Sequence, residues 1–71
     1  MDLRLKTLLN PKTYLWVDVL LINETDKAIL IEFDGKEAWL PKAWIPRIKT
    51  SKNSKAIKIK ISEYHWAVKF N

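Results

Sequence analysis

Apolar and charged residues alternate most regularly near the end of the chain. Residues 55–62 read K-A-I-K-I-K-I-S, so that the isoleucines fall on one side of an extended chain and the lysines on the other. A period of two in a β-branched run is typical of a half-buried strand. The pattern predicts a strand over Lys55–Ser62 with an isoleucine face in the core and a lysine face in water.

Two further apolar runs precede it. Tyr14–Ile22 is apolar on both of its alternating faces, which predicts a strand that is central in a sheet or covered by another segment. The polar cluster Asn23–Asp26 is expected to end this strand in a turn. Lys27–Phe33 alternates again and is predicted to be the next strand.

A hairpin is predicted at Asp34–Gly35, because Asp-Gly tolerates the positive φ that a two-residue hairpin turn requires. Lys36–Leu40 is then the returning strand. Proline cannot donate to a strand ladder, so this strand should stop near Pro41. We expect one tight turn at Pro41–Ala43 and another strand entered through Trp44 and Ile45.

The two ends of the chain each fit two interpretations. Asp2–Leu9 has the alternation of a strand but also suits a short helix that ends at Asn10–Pro11. Glu63–Phe70 alternates aromatic and other residues as a strand does, whereas Ser62 could cap a short helix there. Periodicity alone leaves both alternatives open.

Together these elements predict a mainly β fold, a five- to six-stranded antiparallel barrel with a short C-terminal helix if Glu63–Phe70 is helical. The 71 residues suffice for one small domain over 1–71. The composition is globular, with 48% hydrophobic and 30% charged residues. The chain has no cysteine, no apolar run long enough for a membrane span and no leader-like start, so we expect a cytoplasmic protein without a membrane partner.

Positive charge is concentrated in the second half of the chain. The net charge is +5, and from Arg47 to Ser62 there is no acidic residue at all. Such asymmetry is typical of proteins with an anionic partner such as DNA, RNA or an acidic protein surface, although a solubilising face has the same appearance. The candidate nucleic-acid-binding residues are those that carry this charge, namely Arg47, Lys49, Lys52, Lys55, Lys58 and Lys60.

Residues for catalysis are sparse. The chain has one histidine, His65, and no cysteine, and a single histidine without partners seldom suffices for acid–base catalysis. The carboxylates Glu32, Asp34 and Glu37 cluster at the hairpin but offer fewer oxygen ligands than a calcium loop does. We therefore expect no enzyme activity, no metal and no cofactor.

Four tryptophans in so short a chain allow two interpretations. Either all four are large core side chains, or some of them form a binding surface. The second interpretation favours Trp39 and Trp44, which flank Pro41, as an exposed surface for a protein partner or for base stacking.

The segment W-L-P-K-A-W-I, Trp39–Ile45, resembles the junction between strand, proline, tight turn and strand of Src-homology type 3 barrels. In that family the proline and the later aromatic residue line a groove for proline-rich peptides, and by position these are Pro41 and Trp44. The resemblance implies a small barrel of the Src-homology type 3 kind, and an OB-like barrel is the alternative for the same number of strands. The family's acidic first loop and its tryptophan-containing strand have no clear counterparts in this chain.

A second resemblance covers roughly residues 26–69. The segment K-A-I-L-I-E-F-D-G-K-E-A-W-L-P-K, Lys27–Lys42, is similar to small uncharacterised prokaryotic and phage-borne proteins with the pattern K-A-[IV]-L-[IV]-E-x-D-G-x-E-x-W-[LI]-P-K. It implies a single-domain β-barrel, a mobile-element context and a helix at Glu63–Phe70. It implies no activity.

Two functions compete on these grounds. The first is a non-enzymatic module that binds nucleic acid through the basic second half of the chain, with weak sequence preference. The second is a protein-interaction module, such as a phage-encoded inhibitor of a host or defence protein, that acts through Trp39 and Trp44. A homodimer formed through an open strand edge is compatible with either function.

Overall fold

The structure, a computed structural model, describes residues 12–70 and confirms the predicted mainly β fold with a short C-terminal helix. Five antiparallel strands form one sheet. They are β1 (Tyr14–Glu24), β2 (Ala28–Phe33), β3 (Lys36–Pro41), β4 (Arg47–Thr50) and β5 (Ala56–Ser62), followed by the helix α1 (Glu63–Phe70). The segment Asp2–Leu9 lies outside the described residues.

The order of the strands in the sheet is β3-β2-β1-β5-β4, so the two edge strands are consecutive in sequence. In a flat sheet these edges would be about 19 Å apart, at ~4.8 Å per strand spacing. Only residues 42–46 connect them, and Lys42–Trp44 of this connection is coiled into a 3₁₀ turn that rises about 2 Å per residue. The sheet therefore curls so that its edges approach each other, which produces a barrel-like shape.

The inner face of the sheet forms the core. Among residues 12–70, eight apolar side chains are nearly inaccessible to solvent. Seven lie on this face (Val19, Ile29, Ile31, Leu40, Ile57, Ile59 and Ile61), and Ile45 reaches the core from the connection between β3 and β4. Strand β5 supplies three of these, and their spacing of two residues explains why the isoleucine alternation identified this strand so clearly. The same alternation places the intervening lysines on the outer face.

The hairpin between β2 and β3 has the predicted turn. Asp34 and Gly35 both have positive φ, 53° and 78°, and Phe33 pairs with Lys36 across the two-residue loop. Positive φ at both central residues is what a type I′ turn requires, and its twist matches that of the flanking strands.

The structure corrects three predicted boundaries. Strand β1 does not end at Ile22 but continues to Glu24, and a bulge at Ile22 shifts its register against β2. The 3₁₀ turn occupies Lys42–Trp44, and β4 begins only at Arg47, not at Trp44. The last two corrections have one physical reason. The chain needs residues 42–46 to pass from one edge of the curled sheet to the other, so these residues cannot belong to β4.

The C-terminal segment is helical, which resolves the ambiguity at Glu63–Phe70. The Ser62 hydroxyl accepts a hydrogen bond from the backbone N–H of His65 at 3.1 Å, as an N-cap does. Trp66 and Phe70 stack on each other and contact the ring of Phe33 edge-to-face, at centroid distances of 4.9 and 5.7 Å. No helix within residues 12–70 has the length and apolar character that crossing a membrane requires.

Candidate nucleic-acid interface

Four cationic side chains lie together on the outer face of the sheet. Arg47 pairs in register with Lys60, and Lys49 pairs with Lys58, so the four residues form a two-by-two block on β4 and β5. Directly paired residues of antiparallel strands share a face, with their Cβ atoms about 4.5–5.5 Å apart. We call these four residues the basic block.

Two exposed aromatic rings border the basic block on β1. Trp16 pairs in register with Lys60, and Tyr14 lies two residues away on the same face. The two side chains are 43% and 46% exposed. The Lys49 ammonium lies over the Trp16 ring, 4.6 Å from its centroid, and the Lys60 ammonium lies 6.0 Å from the centroid of Tyr14. A cation over an exposed ring is favourable by about 0.5–1 kcal/mol.

Neither ring was among the candidate residues taken from the sequence. Because Tyr14–Ile22 is apolar on both faces, the pattern does not say which of the two faces meets the core. The sequence holds no signal for this choice, because only the antiparallel pairing with β5 shows which face of β1 lies beside the lysine face. That pairing places Tyr14 and Trp16 beside the lysines.

Among the residues that the structure describes, one acidic residue lies within this region, and others lie beyond it. Asp18 on β1 pairs in register with Lys58, and its carboxylate is 3.7 Å from the Lys58 ammonium. Further across the outer face, Glu32 on β2 lies directly opposite Glu37 on β3. Like charges opposite each other on a sheet are unfavourable. The outer face is therefore divided into a basic half on β4 and β5 and an acidic half on β2 and β3.

The two remaining lysines of the predicted set lie in the loop between β4 and β5. Lys52 and Lys55 are exposed, and the backbone carbonyl of Lys55 accepts a hydrogen bond from the N–H of Leu21 at 2.8 Å. This bond fixes the end of the loop near β1. The structure therefore brings four of the six predicted basic residues into one block and places the other two in the adjoining loop.

The three residues of the predicted tryptophan surface do not form one surface. Trp39 lies on the outer face of β3 and is 42% exposed, and Pro41 follows it at the end of that strand. Trp44, by contrast, is half-buried against the core and stacks on the ring of His65, with a centroid distance of 4.2 Å and nearly parallel planes. Trp39 is thus exposed to solvent on the outer face, whereas Trp44 is packed against the core.

His65 has the location of a packed side chain. Its ring lies between Trp44 and Tyr64, and its buried Nδ1 has no hydrogen-bond partner among the described residues. Within residues 12–70, no three His, Asp or Glu side chains converge closely enough to hold a metal ion.

No family model, curated protein or solved structure matches this chain. The outer face of the sheet is therefore the feature of the molecule from which its function is inferred.

Proposed function

We propose that this protein is a non-enzymatic module that binds nucleic acid through the basic block and its neighbouring loop. The observation that carries the proposal is the two-by-two arrangement of Arg47, Lys49, Lys58 and Lys60 on one sheet face. Neighbouring strands are about 4.8 Å apart, well within the ~10 Å over which 0.1 M salt screens charge. The four charges therefore act together on a phosphate backbone that passes over them.

The chemistry of the block favours contact with phosphates over reading of bases. Three of its four members are lysines, which act as mobile point charges, whereas arginine provides the planar fork that recognises guanine. Contacts with phosphates position a protein on nucleic acid but carry no sequence information. We therefore expect weak sequence preference and strong salt dependence.

The test replaces two lysines of the block and compares them with two lysines elsewhere. In the first variant Lys49 and Lys60 both become Gln. In the matched control Lys27 and Lys36, which are exposed in the turn before β2 and at the start of β3, both become Gln. The two variants lose the same net charge, so they differ only in where the charge is lost.

Binding is measured by fluorescence anisotropy with labelled DNA and RNA oligonucleotides at several salt concentrations. Each lost phosphate contact lowers the salt slope by about 0.7 for single strands. Loss of two contacts should weaken binding at about 0.1 M salt by roughly 25-fold. The control variant should bind nearly as the original chain does. Equal losses in both variants, or no binding of the original chain at low salt, would refute the proposal.

A protein-interaction module is the second candidate, and the exposure of Trp39 favours it. This ring lies beside Leu30 on the outer face, and exposed tryptophans are frequent hot spots of protein interfaces. Binding through such a surface would depend little on salt and would be lost in Trp39→Ala. An inhibitor of a host or defence protein is one form that this function would take.

A further inference from the structure

Tyr14 and Trp16 add a second kind of contact to the basic block. From this geometry we infer that the ligand is an unpaired stretch of nucleic acid, two of whose bases stack on Tyr14 and Trp16 while its phosphates lie on the basic block. The inference rests on the proposed function and specifies its substrate class.

The spacing of the two rings suits successive bases. They are two residues apart on one strand, so their Cα atoms are separated by about 6.8 Å along β1. A separation of this size lets each ring contact its own base on an extended strand. The rings are close to half exposed, and the Lys49 ammonium lies over the Trp16 ring. A base that stacks on this face takes the place of the ammonium, and the flexible lysine side chain then stays within reach of the phosphate of the same nucleotide.

Exposed rings distinguish unpaired from paired nucleic acid. In a duplex the flat faces of the bases are stacked on one another, so a protein reaches their edges and the phosphates. An unpaired strand presents the flat faces themselves, and each base that stacks on an aromatic side chain strengthens binding in a sequence-tolerant way. The lysines alone would bind either form, whereas the rings favour only the unpaired form.

The acidic half of the sheet limits the length of the site. Beyond Asp18, the outer face continues toward Glu32 and Glu37, where phosphates are repelled. The nucleic-acid strand must therefore pass over the first half of β1 and over β5 and β4. A platform of two rings and a block of four cations corresponds to a footprint of only a few nucleotides, near the lower end of the range for small β-barrels.

The experiment distinguishes binding through stacked bases from binding through phosphates by using oligonucleotides that have or lack unpaired bases. Fluorescently labelled oligothymidylate and oligouridylate of about eight nucleotides are compared with an abasic phosphodiester strand of equal length and with a short DNA duplex. We expect the base-containing strands to bind at least about 25-fold more tightly than the abasic strand, since two stacked bases are lost in it and each contributes at least about fivefold. A third strand, oligodeoxyuridylate, has the base of oligouridylate and the sugar of oligothymidylate, so its comparison with oligouridylate shows whether the sugar matters.

The protein variants locate the stacking. Trp16→Ala should weaken binding to oligothymidylate by about five- to hundredfold and leave binding to the abasic strand unchanged, and Trp16→Phe should restore most of the loss. Trp39→Ala is the matched control, because this tryptophan is equally exposed on the same sheet face but lies outside the basic block. It should have no effect on either probe.

The outcomes distinguish the inference from the proposed function. If base-containing and abasic strands bind equally, or if Trp16→Ala weakens binding to both alike, the stacking inference is wrong while binding to phosphates stands. If a duplex binds as tightly as the unpaired strand, the inference is also overturned. If none of the probes binds at low salt, the proposed function itself fails.

Discussion

Replacing Asp18 by Asn should strengthen binding to nucleic acid, which makes it a more discriminating test than the loss of a lysine. Asp18 is the acidic residue of β1 in register with the basic block, and its carboxylate is 3.7 Å from the ammonium of Lys58. While that contact exists, Lys58 is partly neutralised. In the limit of full neutralisation the face offers three effective cations instead of four, so the changes worked out from this number are upper limits.

The size of the effect follows from the number of cations. With a contribution of about 0.7 per phosphate contact, the slope of log affinity against log salt should change from about −2 to about −3 in Asp18→Asn. The same contribution predicts an affinity gain of about fivefold at about 0.1 M salt, which disappears near 1 M. Both side chains of the pair are largely exposed, so the variant should lose at most about 1 kcal/mol of stability.

The assay is a series of anisotropy titrations over this salt range, with thermal unfolding to confirm that the fold is retained. The control is Asp26→Asn, which makes the same change of charge in the turn between β1 and β2. An equal gain in both variants would show that net charge alone matters. If Asp18→Asn leaves affinity and slope unchanged, Lys58 does not contact the ligand and our account of the basic block is wrong.

Two predictions concern the stability of the fold. Ile59 is fully buried and pairs with both Val17 and Ile48, so Ile59→Ala should cost about 2–5 kcal/mol, whereas the control Ile48→Ala, at a 40% exposed position, should cost much less. Urea denaturation measures both, and similar costs would contradict the assignment of the core. Gly35→Ala should cost about 1–2 kcal/mol because of its positive φ alone, since a Cβ there would meet no atom within 4 Å. Gly35→Asn should cost less in the same assay, and a larger loss for Asn than for Ala would contradict this explanation.

An element could be predicted wherever residues within the same short segment determine its conformation. The isoleucine alternation of β5 and the Asp-Gly turn each specify their own conformation, and the structure has both. The start of β4 was not predictable in this way. It depends on the distance between the two edges of a curled sheet, and Trp44 and Ile45 give no local sign that they belong to the connection.

The helix α1 is a second element that the local sequence pattern could not determine. Tyr64, Trp66, Val68 and Phe70 fit a period of two, but Trp66 and Phe70 are also one helical turn apart. In the structure both of these rings pack on Phe33, which comes from a different strand. A tertiary contact thus supports the helical alternative, and periodicity within the segment could not reveal it.

The basic half of the candidate site could be anticipated from the sequence, because the charge is concentrated in one stretch of chain. The aromatic half could not, because it depends on which residues of β1 pair with β5. In the sequence, proximity to Pro41 favours Trp39 and Trp44 as the exposed aromatic residues. The structure instead places Trp16 opposite Lys60.

A solubilising role alone does not account for this combination of residues. Lysine side chains do cover apolar rings with their aliphatic stems, so the Lys49–Trp16 contact by itself is compatible with a role in solubility. Within residues 12–70, however, the sheet exposes two tryptophans to almost the same extent, and of these two only Trp16 has a lysine ammonium over its ring. Trp39 lies beside the acidic pair Glu32 and Glu37, where a phosphate backbone would be repelled. If exposure were the relevant property, the two tryptophans should behave alike toward an oligonucleotide. Because we attribute binding to a ring and its neighbouring charges acting together, the two should differ.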